Sequence, residues 1–80
     1  MDRNSICSQI QDILRDVFDN ENITVNEETT ANDVEEWDSL THIQLIVAIE
    51  KHFNVKFSSK EIIQAKDIRE LIDIVYGKIM

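Results

Sequence analysis

Asp38-Ser39-Leu40-Thr41-His42-Ile43-Gln44-Leu45-Ile46-Val47-Ala48-Ile49-Glu50-Lys51-His52-Phe53-Asn54 is the stretch on which the fold turns. Asp38 is a strong N-cap, because its carboxylate accepts backbone N–H groups of a first helical turn. Leu40, Ile43, Ile46, Val47 and Phe53 then fall on one helical face, and Leu45 and Ile49 widen it. A helix apolar over so much of its circumference belongs at the centre of a fold. The pattern stops at Phe53-Asn54.

Upstream, Ile6, Ile10, Ile13, Leu14, Val17 and Phe18 predict a first helix with one apolar face. Asp2, Asn4 and Ser5 are candidate caps. Asp19-Asn20-Glu21-Asn22 breaks that pattern, and residues 19–37 read as a long connection rich in Asn, Thr and acids. Ile23 and Val25 alternate as in a short extended piece. A connection this long is functional or held down by its own apolar residues; Ile23, Val25, Val34 and Trp37 are the candidates.

Downstream, Ser58 and Glu61 have capping-box spacing, which predicts a short helix over 59–64. Asp67 and Glu70 repeat the logic. Ile68, Leu71, Ile72, Val75 and Ile79 line one face of a last helix, with Gly77 where it frays or ends. The expected architecture is a single all-α domain over 1–80. It is a four-helix bundle of three longer helices and one short one, with a long loop between the first and second helices.

The chain has 80 residues, one glycine and no proline, too few turn residues for a small sheet protein. A chain of this length buries only about 60% of its unfolded surface, which leaves no room for a deep enclosed active site. The formal net charge is −8. Its distribution is uneven: residues 1–18, 19–38 and 39–80 carry −1, −8 and +1. Such acidity argues against nucleic acid or an anionic membrane surface as partner. The longest apolar run, Leu45 to Ile49, is far below the ~20 residues that span a bilayer. The single Cys7 excludes an internal disulfide and, with two histidines, offers no metal site. A soluble cytoplasmic protein is expected, and a monomer, because the pattern shows no exposed apolar patch.

Three readings compete at Ser39. As a nucleophile it would use His42, three residues on and on the same helical face. Yet no Gly-x-Ser-x-Gly elbow surrounds it, and a small helical domain offers no water-excluding pocket. As part of a cap it would have no chemistry at all. As a target for modification it is well placed. The first turn exposes a hydroxyl, and free backbone N–H groups with the positive end of the helix dipole favour a phosphate ester there.

The run Glu36-Trp37-Asp38-Ser39-Leu40-Thr41-His42-Ile43-Gln44-Leu45 resembles the prosthetic-group site of acyl carrier proteins, whose signature is Asp-Ser-Leu. Leu45 to Val55 resembles the rest of that family's second helix and its exit. Asp67-Ile68-Arg69-Glu70-Leu71 resembles the start of its last helix. The likeness spans essentially the whole chain. It implies a carrier rather than an enzyme. A phosphopantetheinyl transferase would attach 4′-phosphopantetheine from coenzyme A to Ser39. A loading ligase and downstream acyl-transfer enzymes would then use the arm's thiol to carry acyl or aminoacyl groups as thioesters. Asp38 would cap the helix and help the transferase engage the serine. Leu40 either faces the core or contacts partners beside the arm. Ile46, Val47 or Ile49 either fill the core or line an acyl-binding space.

The chain also departs from that pattern. Glu36-Trp37 stands where many fatty-acid carriers have a small pair such as Gly-Ala. At places where the family's second helix often presents acids stand Thr41, Gln44 and Lys51, with Glu50 retained. Partner contact is expected from Asp33, Glu35, Glu36, Trp37, Thr41 and Glu50, with the loop acids foremost if recognition is electrostatic. Trp37 is expected packed under the loop or at a lip for the arm; His42 and His52 are expected on the surface. The Trp-Asp-Ser-Leu form is similar to stand-alone carriers of specialised pathways, such as polyketide, nonribosomal-peptide-like or surface-polysaccharide biosynthesis. The alternative is an unmodified acidic helical adaptor for a basic protein partner.

Overall fold

A computed structural model describes residues 2–79. Four helices follow in order: α1 (Arg3–Val17), α2 (Ser39–Phe53), α3 (Ser59–Gln64) and α4 (Ile68–Ile79). A 3₁₀ turn, Ala31–Asp33, interrupts the loop between α1 and α2. Among the described residues the only sheet-like pairing is an isolated bridge between Thr30 and Asp67. All-α architecture with one short helix is therefore the observed fold.

Each helix starts where a side chain can take up unpaired amides. Asp2 accepts the N–H of Ser5 at 2.8 Å. Asp38 accepts those of Leu40 and Thr41. Ser58 and Glu61 exchange bonds as a capping box, and Asp67 accepts the N–H of Glu70 at 2.8 Å. Asn54 ends α2 in the left-handed region, φ 57°, which asparagine tolerates better than most residues. Gly77 does not end α4; the helix runs through it to Ile79.

α1 packs against both α2 and α4. Ile6, Ile10, Leu14, Leu45, Ile46, Ile49, Ile68, Leu71, Ile72 and Val75 are fully buried between them. Ile23, Val25, Val34 and Trp37 are also buried, so the loop is held down by the residues expected to do so. Arg3 adds a polar tie: one guanidinium nitrogen meets Glu27 in the loop and another Asp73 on α4, both at 2.6 Å.

The apolar face of α2 requires correction. Leu45, Ile46 and Ile49 face the core, while Leu40, Ile43 and Val47 are 71%, 50% and 41% exposed. With apolar residues nearly all round, periodicity could not choose the buried side; packing against α1 does. Ile63 on α3 is exposed too, so the expectation of a surface without apolar patches does not hold.

Candidate functional site

The loop, the start of α2 and α3 meet at Ser39. Asp38 and Thr41 lock the first turn. Asp38 Oδ1 accepts the Leu40 and Thr41 amides at 3.0 and 2.9 Å, and the Asp38 amide donates to Thr41 Oγ1 at 2.8 Å. The Thr41 hydroxyl donates to the Glu36 carbonyl at 2.7 Å, which fixes the chain on the way in. The Thr41 amide bond is the main reason the Asp38 carboxyl is held below its ordinary range.

Ser39 is therefore placed at the first helical position on a rigid support. Its side chain is exposed and makes no hydrogen bond among the described residues. Beside it runs a groove of about 380 Å³ between α2 and α3. Trp37, His42, Ile43, Ile62 and Ile63 supply most of its apolar wall; Asp38 and Lys66 are its charged members. The Trp37 indole N–H donates to His42 Nδ1 at 2.9 Å, and His42 Nε2 bonds the Ile62 carbonyl at 2.7 Å.

Not every expected site residue gathers here. Trp37, Asp38 and Ser39 share the groove, and Leu40 projects into solvent next to it. Thr41 is half-buried and engaged in the cap. Glu50 lies about 16 Å further along α2 at the helical rise, and its Oε2 accepts the Phe57 amide at 2.8 Å. Asp33 belongs to the 3₁₀ turn, where it accepts the Thr30 amide at 3.0 Å. Glu36 accepts the Asn20 side-chain amide at 2.7 Å. Glu35 is exposed.

His42 corrects an expectation: it is half-buried and bonded at both ring nitrogens, not a surface residue. Neither nitrogen is left to deprotonate Ser39, which removes the Ser39/His42 hydrolase geometry. Sequence reasoning missed Ile62 and Ile63 as groove walls, although an apolar pair in a six-residue helix was the available signal. It also missed the reciprocal Asp38–Thr41 cap, whose three-residue spacing was visible.

The family described as "Phosphopantetheine attachment site" matches residues 8–75. This chain belongs to the acyl carrier protein family. It is 31% identical to an acyl carrier protein of Coprothermobacter proteolyticus over 77 residues, 94% of this chain and 92% of that protein. It also superimposes on the solution structure of a holo acyl carrier protein from Geobacter metallireducens with a TM-score of 0.84 and 40% identity. That match covers 91% of this chain and 84% of the other.

The carrier's prosthetic group is covalently attached 4′-phosphopantetheine. The site fits such a group. A phosphodiester needs an exposed hydroxyl and tolerates the positive end of a helix, and the apolar groove alongside suits the arm's aliphatic parts. No helix among the described residues is long and apolar enough to cross a membrane.

Proposed function

We propose that this acyl carrier protein bears 4′-phosphopantetheine on Ser39 and presents acyl or aminoacyl groups to biosynthetic enzymes of a specialised pathway. The observation that carries the attachment reading is the exposed hydroxyl of Ser39, unbonded among the described residues, at the first position of α2 with the groove beside it. The arm supplies a thiol that holds cargo as a thioester. The protein's own residues do the rest. Asp38 and Thr41 hold the turn rigid, and Asp38 gives a phosphopantetheinyl transferase a carboxylate next to the hydroxyl. Leu40 offers an apolar contact beside the arm. His42 is committed to Trp37 and Ile62, so it does not serve Ser39 as a base.

The specialised-pathway reading rests on α2. Its outward face carries Leu40, Ile43, Gln44, Val47 and Lys51, and its one acid, Glu50, is bonded to the Phe57 amide. A partner with a basic docking ridge would find little charge on that helix. The acids Asp33, Glu35, Glu36 and Asp38 lie before it and supply the remaining electrostatic contact, with Trp37 packed behind them. The expected partners are the transferase, a loading ligase and downstream acyl-transfer enzymes, in the cytoplasm.

Intact mass spectrometry after incubation with coenzyme A and a broad-specificity phosphopantetheinyl transferase tests the attachment. The wild type should gain one phosphopantetheine, and a folded Ser39→Ala variant none. Gain on both would move the site elsewhere. Gain on neither, including with the native host's transferase, would favour an unmodified acidic adaptor.

A further inference from the structure

Among the described residues, His42 on α2 is hydrogen-bonded to the loop on one side of the groove and to α3 on the other, and the identity of its partners fixes its proton. An indole N–H can only donate. His42 Nδ1 accepts it at 2.9 Å, so Nδ1 carries no hydrogen. Nε2 is then the protonated nitrogen, and it donates to the Ile62 carbonyl at 2.7 Å. The two rings also stack, with centroids 5.9 Å apart and planes 21° from parallel. The bonded form is one neutral tautomer.

We propose that His42 is a proton-sensitive positioning residue for the Ser39 site. A second proton on Nδ1 sets N–H against N–H. The Trp37 bond is lost, and an indole only 5% exposed is left without its acceptor. The bond to Ile62 survives, because an imidazolium still donates through Nε2. Protonation therefore frees the Trp37 side chain from His42, while the Thr41–Glu36 and Asp38–Thr41 bonds and the bond to α3 stay in place. Trp37 stands two residues before Ser39 and lines the groove, so one wall beside the serine gains freedom while the capped turn and the α3 wall stay put.

The charged groups around the ring do not supply a competing switch. Asp38 and Lys66 line the same groove with opposite signs and are exposed. Glu61 on α3 is paired with Lys78 at 3.1 Å and accepts the Ser58 amide. Glu36 is bonded to Asn20. His52 makes the contrast: its Nε2 meets Gln9 Oε1 at 2.6 Å, a bond that the charged ring keeps. Only the consequence for arm loading rests on the reading of Ser39 as the attachment residue.

Trp37 is the sole tryptophan, so its indole N–H resonance reports the bond directly. The experiment follows that resonance and its exchange with water between pH 5 and 8, the range in which histidine changes charge. It uses the full chain before and after phosphopantetheine loading. In the wild type the indole signal should move with the same midpoint as the His42 ring. Its protection at the acid end should fall about five- to thirtyfold relative to His42→Gln at the same pH. His42→Gln keeps one donor and one acceptor and does not titrate, so its indole should stay still. His42→Asn serves if the glutamine variant does not fold, with the same expectation. A static wild-type indole while the His42 ring titrates would overturn the proposal. Equal movement in the variant would also overturn it, by assigning the change to another group. The unloaded protein reports the bond whether or not Ser39 takes the arm, so a failure of the attachment reading shows separately as absence of loading.

Discussion

Asp38 and Thr41 hold each other from both ends: the carboxylate takes the Thr41 amide at 2.9 Å, and the Thr41 hydroxyl takes the Asp38 amide at 2.8 Å. The same hydroxyl donates to the Glu36 carbonyl. Thr41→Val keeps the shape and removes both hydroxyl bonds. It should cost about 1 kcal/mol in urea unfolding, and slow transferase loading of Ser39 more than that loss of stability explains. Unchanged stability would show that the hydroxyl bonds are exchanged for water without penalty.

The Asp38 carboxyl is held below its ordinary range, chiefly by the Thr41 amide. Glu61 is held low as well, first by the Ser58 amide and then by Lys78. A depressed carboxylate stabilises the fold above its unfolded pKa and loses that contribution as pH falls through the folded value. The unfolding midpoint should therefore decline below about pH 4, where unperturbed carboxylates titrate. Asp38→Asn retains an acceptor and has no proton to gain, so its acid decline should be shallower. Equal declines in both proteins would place the acid sensitivity elsewhere.

Glu50 holds the turn that leaves α2. Glu50→Ala should leave the Phe57 amide without its acceptor and cost about 1–3 kcal/mol. Glu50→Gln keeps a carbonyl oxygen in place and should cost much less. Equal losses in the two variants would mean that charge, and not the bond to Phe57, is what matters.

The two faces of α2 should separate in stability measurements. Leu45→Ala opens the core against α1 and should cost about 2–5 kcal/mol. Leu40→Ala, on an exposed side chain, should stay within about 0.5 kcal/mol. Near-equal costs would contradict the orientation described for this helix.

Partner transfer should follow the apolar face more than the charge. With any enzyme that accepts cargo from this carrier, Ile43→Ser should slow transfer about tenfold, the effect of losing a well-packed interface contact. Glu35→Gln should change it little, and raised salt should leave most of the rate intact. A rate governed by salt and by Glu35 would restore the electrostatic reading of recognition.

What the sequence allowed to be read was local. The caps at Asp38, Ser58 and Asp67 depend on residues within one turn, and α1 has a single apolar stripe, so its buried side was unambiguous. The loop was legible because few residues could anchor it. α2 was not, because Leu40, Ile43 and Val47 obey the same periodicity as Leu45, Ile46 and Ile49, and only α1 distinguishes them. His42 was misjudged for a related reason: its partners are Trp37 and Ile62, and the second lies 20 residues away. Ser39 stood out through its neighbours, whereas the groove beside it required α3 to be placed in space.

The pairing of the long loop with the α3–α4 connection bears on how the molecule opens. The Ala31 amide donates to the Lys66 carbonyl at 3.0 Å and the Ile68 amide to the Thr29 carbonyl at 2.9 Å. α3 contributes no fully buried residue of its own, whereas α1, α2 and α4 share the core. A segment that buries little of its own surface opens at low free energy, whereas the loop is anchored in the core by Ile23, Val25, Val34 and Trp37. α3 is such a segment, and its Ile62 and Ile63 share the groove with Ser39. Its local opening widens the groove from one side, without loss of the frame that carries the serine.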